Sequence, residues 1–159
     1  MNNIKNVKPN AKSGFKQGYF DVSESVKYRG ELPCIYRSSW EKKFMIYAES
    51  NASILAWSSE PFKIKYWNIL DKKYHYYYPD YWVRVNRGDI IEDCIVEIKP
   101  KDQLKKPTKP KRLTKKTIAN YNYACKRYIM NLCKIDALKL FAKNRGAKVI
   151  LLTEDSWII

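Results

Sequence analysis

The chain has 159 residues, 45% of them hydrophobic, and its 31 Lys and Arg against 16 Asp and Glu give a net charge of +15. This length suits one domain with its own core, and so large a positive excess is typical of a protein that binds a polyanion, nucleic acid above all. Four cysteines without CxxC spacing and a single histidine leave zinc-finger and HNH-type sites without ligands, and they indicate buried thiols in a reducing cytoplasm. A bilayer-spanning apolar run and a basic amphipathic helix with a clean apolar face are both missing, which argues against a membrane partner.

The N-terminal part of the chain predicts an arm followed by a helix. Residues 1–27 are rich in Asn, Lys, Ser and Gly without periodicity, which indicates a flexible or loosely docked arm ahead of one domain at 28–159. Ser38 and Glu41 have the spacing of a capping box, so a helix is predicted to begin there. Apolar residues at helical spacing extend this helix to about Asn51.

A β-rich stretch follows the helix. Short strands are predicted over 54–57 and 62–66, and residues 74–85 are dense in aromatic and β-branched side chains. The cluster 86–89 (NRGD) is typical of a turn, and 90–99 is the returning strand, which a proline ends. This part of the chain therefore predicts a β-hairpin.

The hairpin brings charged side chains together. If the first and last residues of the 86–89 turn pair, Asp80 lies opposite Ile95, and Glu97 and Lys99 share its face. Asp80 and Glu97 are then diagonal neighbours whose backbones lie about 7–8 Å apart. At that separation their carboxylates can reach one Mg²⁺ between them, with Mn²⁺ as a possible substitute. Lys99 would lie beside the metal and a phosphate, which suits phosphodiester hydrolysis. A surface hairpin with ordinary charges is the plainer alternative.

The last third of the chain begins with a basic segment. Nine of the eighteen positions in 99–116 are Lys or Arg, which predicts an extended, solvated segment. Six of these residues are spaced for DNA phosphate contacts rather than base reading: Lys101, Lys105, Lys106, Lys109, Lys111 and Arg112. A solvated loop without DNA contacts is the alternative. An apolar stripe from Ile118 to Leu132, continued to Ala142, predicts a long helix, and 148–152 predicts a strand.

Glu41 has two interpretations. As the third residue of the helix it completes the capping box and needs no catalytic role. However, its helical face borders the apolar stripe, and a carboxylate that points inward needs a partner, which a metal cluster would supply.

Four segments together carry a resemblance to a known family: 36–41 (YRSSWE), 57–61 (WSSEP), 78–81 (YPDY) and 96–100 (VEIKP). They resemble the head completion nucleases of T-even-like phages, which are similar in turn to the endonuclease subunit of heteromeric cut-and-paste transposons in the PD-(D/E)XK superfamily. The resemblance implies an α/β, restriction-endonuclease-like fold in which helices flank a mixed β-sheet.

The resemblance also implies roles for individual residues. Asp80 and Glu97 match metal ligands, the Ile98 carbonyl matches a further ligand, Lys99 matches the motif lysine, and Glu41 matches the helix acid that completes the metal site.

We therefore expect a Mg²⁺-dependent DNA endonuclease. The resemblance implies that it processes packaged DNA ends during phage head completion, in the host cytoplasm and the virion, with portal or head proteins as partners. Two alternatives stay open: a transposase-type or branched-DNA endonuclease with the same site, and a structural DNA-binding head plug without turnover.

Overall fold

A four-stranded mixed sheet lies at the centre of the computed structural model, which describes residues 16–156. The elements, in chain order, are β1 (Gly18–Tyr19), β2 (Ile35–Tyr36), α1 (Ser39–Ser50), β3 (Ile54–Ser59), β4 (Ile64–Asn68), β5 (Lys73–Tyr77), β6 (Tyr81–Asn86), β7 (Ile91–Ile98), a 3-10 turn (Lys101–Leu104), α2 (Lys115–Lys143) and β8 (Lys148–Leu152). The central sheet has the order β3-β6-β7-β8, in which only β7 and β8 are parallel. A mixed sheet flanked by helices confirms the predicted α/β fold.

Helix α1 covers one face of the central sheet. The hydroxyl of Ser38 accepts the N–H of Glu41 at 3.1 Å, so the helix begins where the capping box predicts. Its buried side chains belong to the same core cluster as inward-facing residues of β3, β6 and β7, among them Trp57, Tyr81, Val83 and Val96. This apolar contact holds α1, with Glu41 in its first turn, against the sheet.

The opposite face is covered by α2 and by a two-stranded antiparallel sheet, the β4–β5 ribbon. Ile95 of β7 packs in one cluster with Leu138 of α2 and Ile64 of the ribbon. The residues of α2 that are buried are Asn131, Ile135, Leu138 and Ala142, all in its C-terminal half. The predicted helix is confirmed. In its first half the apolar stripe is only half-buried, as at Tyr121 and Cys125, and Ile118 is 42% exposed, because periodicity does not tell which turns of a helix meet the sheet.

The segment ahead of α1 lies against the same core. Phe20 and Tyr28 pack onto the cluster under α1. The Lys27 ammonium group donates to the carbonyls of Ala48, Glu49 and Asn51 at 3.4, 2.8 and 2.8 Å, where it neutralises the negative end of the α1 dipole. Of the predicted arm, residues 16–27 are thus seen docked, and residues 1–15 lie outside the described residues, as do 157–159.

The stretch 74–85 is two strands rather than one. The segment Tyr78-Pro79-Asp80 separates β5 from β6, and these strands pair in different sheets. Pro79 is fully buried at this break, and a proline cannot donate the ladder hydrogen bond that a continuous central strand would need. None of the helices in the described part of the chain is both long enough and apolar enough to cross a bilayer.

Candidate active site

Asp80 lies at the break between β5 and β6. Its backbone carbonyl accepts the N–H of Glu60 at 2.9 Å, and its carboxylate oxygen Oδ2 accepts the N–H of Ile98 at 2.6 Å. One bond fixes the backbone to the end of β3, and the other fixes the side chain against the end of β7. The carboxylate is therefore held in one orientation before any ligand binds.

The strand register differs from the predicted one. Tyr81 pairs with Val96 and Asn86 with Ile91, so continuing the register places Asp80 opposite Glu97 rather than opposite Ile95. The connection has four residues, 87–90, because the N–H of Gly88 bonds to the Asn86 side chain and the turn closes later than predicted. A shift of two residues keeps every side chain on its predicted face, so Asp80 and Glu97 still meet.

Glu97 and Lys99 form a buried ion pair beside Asp80. Glu97 is only 4% exposed, and its Oε1 lies 2.6 Å from the ammonium nitrogen of Lys99, which also donates to the Ile98 carbonyl at 3.3 Å. The other carboxylate oxygen of Glu97, Oε2, is buried and has no hydrogen-bond partner among residues 16–156. A buried charged oxygen without a partner is costly, so a cation at this point would be stabilised.

The charges of this cluster shift one another's pKa values. Burial and the nearby charge of Glu97 raise the pKa of Asp80, and Lys99 and the N–H of Ile98 only partly offset them. Burial lowers the pKa of Lys99, but the carboxylates of Asp80 and Glu97 outweigh it, and the net shift is upward. Lys99 therefore stays protonated, while Asp80 holds a proton more readily than an exposed aspartate.

Glu41 lies on a neighbouring cavity of about 480 Å³ that Lys99 also lines. Its Oε2 accepts the N–H of Arg37 at 2.7 Å and its Oε1 accepts the hydroxyl of Ser38 at 3.1 Å, so both oxygens hold the start of α1. Burial raises the pKa of Glu41 despite these bonds, and its charge contributes to the raised pKa of Asp80. Glu41 thus acts as a helix cap and also influences the cluster electrostatically.

The donor set suits a hard cation. Asp80, Glu97 and the Ile98 carbonyl are all oxygen donors, which Mg²⁺ prefers, and the unpartnered Oε2 of Glu97 is the group that would gain most from it. Within residues 16–156, no three Asp, Glu, His or Cys side chains converge to hold a metal ion by themselves. The residues present therefore fit a site with two carboxylates whose other positions are filled by water and phosphate oxygens.

The six predicted DNA-binding residues of the basic segment are all exposed. Lys101 differs from the rest, because its ammonium group pairs with Asp155 and its N–H donates to the Glu154 carboxylate at 2.8 Å. The remaining five follow the 3-10 turn and lead to the start of α2. Their charged groups are exposed to solvent, in the segment that follows Lys99 in the sequence.

Three polar residues of α2 were missed by the sequence analysis. Arg127, Asn131 and Lys134 have the spacing of one helical face. Asn131 is 4% exposed, and neither its amide nitrogen nor the Nε of Arg127 has a hydrogen-bond partner within the described residues. Burial, followed by the charge of Lys99, lowers the pKa of Lys134, which places it near the cluster. An asparagine inside an apolar stripe is the signal that could have revealed this row.

Comparisons with known proteins cover most of the chain. The family model described as "TnsA-like endonuclease N terminal" matches residues 51–154, a range that includes Asp80, Glu97 and Lys99 but not Glu41. The head completion nuclease of Enterobacteria phage T4 is 38% identical over 133 residues, which are 81% of this chain and 85% of that protein. No solved structure is significantly similar.

Proposed function

We propose that this chain, which belongs to the family of TnsA-like endonucleases and is a nuclease, is a Mg²⁺-dependent DNA endonuclease. The site of phosphodiester hydrolysis would be the cluster of Asp80, Glu97 and Lys99. The observation that carries this proposal is the buried Oε2 of Glu97, which has no hydrogen-bond partner in the described part of the chain, beside the fixed carboxylate of Asp80.

Each residue of the cluster has a distinct task in this proposal. Asp80 and Glu97 would hold the cation, with the Ile98 carbonyl as a further oxygen. When bound, Mg²⁺ supplies an acidified water and neutralises charge that develops on the phosphate. Lys99 keeps its proton, so it orients the attacking water or stabilises the same developing charge. Glu41 adds a negative charge that favours cation binding from across the cavity.

The basic segment would bind the DNA backbone. Five exposed side chains, those of Lys105, Lys106, Lys109, Lys111 and Arg112, are suited to phosphate contacts, whereas Lys101 is already paired with Asp155. Phosphate contacts position a duplex without reading its sequence. We therefore propose binding that depends steeply on salt and little on base sequence.

Our proposal for the biological setting rests on the similarity to the phage relative. Its 38% identity over 85% of the head completion nuclease supports the same setting for this chain. We propose that the chain processes the ends of packaged DNA during phage head completion. It would act in the host cytoplasm with portal or head proteins as partners, and it would remain in the virion.

A plasmid assay tests the chemistry. Wild type is expected to nick supercoiled plasmid in Mg²⁺ and not in EDTA, with Mn²⁺ as a possible substitute, and Glu97→Gln is expected to nick at least about a hundredfold more slowly. Glu92→Gln is the matched control, because Glu92 lies on the same strand and is held by Lys148 and Arg87 instead. Equal nicking by Glu97→Gln and wild type would refute the assigned site.

A second assay tests the substrate. Linear duplexes with blunt or overhanging ends are compared with a four-way junction at equal concentration. Faster cleavage near linear ends supports end processing, whereas preference for the junction would favour a transposase-type or branched-DNA nuclease. Tight DNA binding without cleavage of any substrate would favour a structural head plug.

A further inference from the structure

Side chains of β4 alternate between buried and exposed, and in β5 Tyr77 is buried while His75 is half-buried and the other three residues are exposed. Ile64, Tyr66 and Tyr77 point inward and are buried in the cluster with α2. The four outward positions, together with the lysine just before β4, form what we call the aromatic–lysine face: Lys63, Lys65, Trp67, Tyr74 and Tyr76. Every outward position therefore holds either a lysine or an aromatic ring.

The side chains of this face contact one another in a ladder. Trp67 and Tyr74 pair across the strands, with ring centroids 4.9 Å apart. The ammonium nitrogen of Lys65 lies 4.3 Å from the ring centroid of Tyr74, and that of Lys63 lies 4.5 Å from the centroid of Tyr76. The three rings nevertheless remain 44%, 61% and 55% exposed, in chain order, so much of their area meets water.

This exposure has no structural purpose that the described residues reveal. The ribbon is anchored by its inward side chains, and polar residues at the outward positions would satisfy an antiparallel sheet with one wet face. Grouping three large rings on a solvent-exposed surface instead leaves apolar area in water, which is typical of a binding site.

Rings and lysines together select the kind of ligand. Aromatic side chains stack on any base, while lysines contact the adjacent phosphates, and this combination is typical of surfaces that bind single strands. Bases in a duplex are already stacked inside the helix and cannot reach such a face. The net charge of +15 and the absence of acids from the outward positions fit a polyanion better than a peptide.

We propose that the aromatic–lysine face binds single-stranded DNA by stacking unpaired bases on Trp67, Tyr74 and Tyr76. The face lies close to the candidate active site, because Asp80 follows Tyr76 after only three intervening residues, so that their Cα atoms are at most about 14 Å apart. The inference deepens the proposed function and relies on it for DNA as the substrate. Unpaired nucleotides next to the cut would then strengthen binding.

The test measures binding without cleavage. A labelled single-stranded oligonucleotide and a duplex of the same length are titrated in EDTA with wild type, with Tyr74→Leu/Tyr76→Leu and with Tyr74→Phe/Tyr76→Phe. Leucine keeps apolar area but removes the ring, and phenylalanine keeps the ring. We expect the leucine variant to lose about tenfold or more in single-strand affinity for each ring, and the phenylalanine variant to retain it. Duplex affinity should change far less.

Control variants separate stacking from other effects. Tyr19→Leu removes an equally exposed ring from the β1–β2 sheet and is expected to leave single-strand affinity unchanged. Unaltered binding by Tyr74→Leu/Tyr76→Leu, or an equal loss for single strand and duplex, would overturn the proposal. So would self-association that the leucine variant abolishes, because the face would then bind a second copy.

Failure of the single-strand binding proposal can be distinguished from failure of the nuclease proposal. If the leucine variant loses single-strand binding while wild type fails to nick plasmid, the face is established and the nuclease proposal fails. If wild type nicks plasmid in Mg²⁺ and the leucine variant still binds single strands, the nuclease stands and this inference fails.

Discussion

The β4–β5 ribbon lies in the chain between β3 and β6 of the central sheet, yet the faces of the ribbon and of the sheet are covered to different extents. Strand β7 is covered on both sides, with Val96 packed under α1 and Ile95 under α2. The ribbon is covered on one side only. Charges at the end of the sheet are therefore held in place with shifted pKa values, whereas the ribbon presents its rings and lysines to water.

The largest effect should come where the two regions meet. Leu138 is fully buried in the cluster that contains both Ile95 of the sheet and Ile64 of the ribbon. Leu138→Ala should lower the free energy of unfolding by about 2–5 kcal/mol, because it leaves a cavity. Leu140→Ala, at an exposed position of the same helix, should change it by less than about 0.5 kcal/mol.

Denaturant unfolding measures both variants. Equal unfolding free energies for the two would break the comparison, since α2 would then cover neither region. Two separate transitions in wild type would show that the ribbon unfolds independently of the sheet.

A smaller change in the free energy of unfolding should follow when one aspartate in each region is replaced by asparagine, and its sign should differ between the two regions. Burial and the charge of Glu97 raise the pKa of Asp80 above its ordinary 3.8. The native state then binds more protons than the unfolded state, so wild type loses stability as pH rises from about 3.8 to the raised value. In EDTA, Asp80→Asn should therefore be more stable than wild type at neutral pH, by at least about 1 kcal/mol, and equal to it in acid.

Asp71 at the tip of the ribbon gives the contrast. Desolvation is the largest single influence on the pKa of Asp71 and raises it. The 2.7 Å bond to His75, the charge of His75 and the N–H of Lys73 together outweigh desolvation, and the net shift of the pKa is downward. Its contribution to stability is present above pH 3.8 and lost as pH falls through the lowered pKa. Asp71→Asn should therefore be slightly less stable than wild type at neutral pH. Thermal unfolding between pH 3 and 8 checks both variants, and the same sign for both would contradict the comparison.

The smallest effect should come from the exposed lysines of the basic segment, and it should appear in the salt dependence of DNA binding. Lys105→Gln/Lys106→Gln should reduce the slope of log K for duplex binding against log salt by about 0.9 for each lysine that contacts a phosphate. Lys101→Gln should leave the slope nearly unchanged, because Lys101 is paired with Asp155. Titrations at several salt concentrations measure the slopes. A larger change for Lys101 than for the pair would show that DNA follows another path.

The elements were largely predictable, because α1 and the strand at Lys148–Leu152 have clear local signals. The hairpin register was not, since Gly88 marks a turn without setting its length, which depends on the Asn86 side chain. The predicted proximity of Asp80 and Glu97 is correct despite the wrong register, because a shift of two residues leaves each side chain on the same face of the sheet. Asn131 within the apolar stripe marks the polar row on α2, but the position of this row near Lys99 could not be predicted, because that requires knowing which turns of the helix lie near Lys99.

The Lys27 ammonium group holds the C-terminal end of α1 by its three hydrogen bonds, a contact called here the Lys27 clamp. It affects how far the chain can be shortened at its N-terminal end. A fragment cut to the family match at 51–154 would keep Asp80 and Glu97 but would lose both the clamp and α1. Trp57 and Val96 would then face water, and the fragment would be prone to aggregate. The smallest autonomous catalytic unit is therefore larger than the portion by which relatives are recognised.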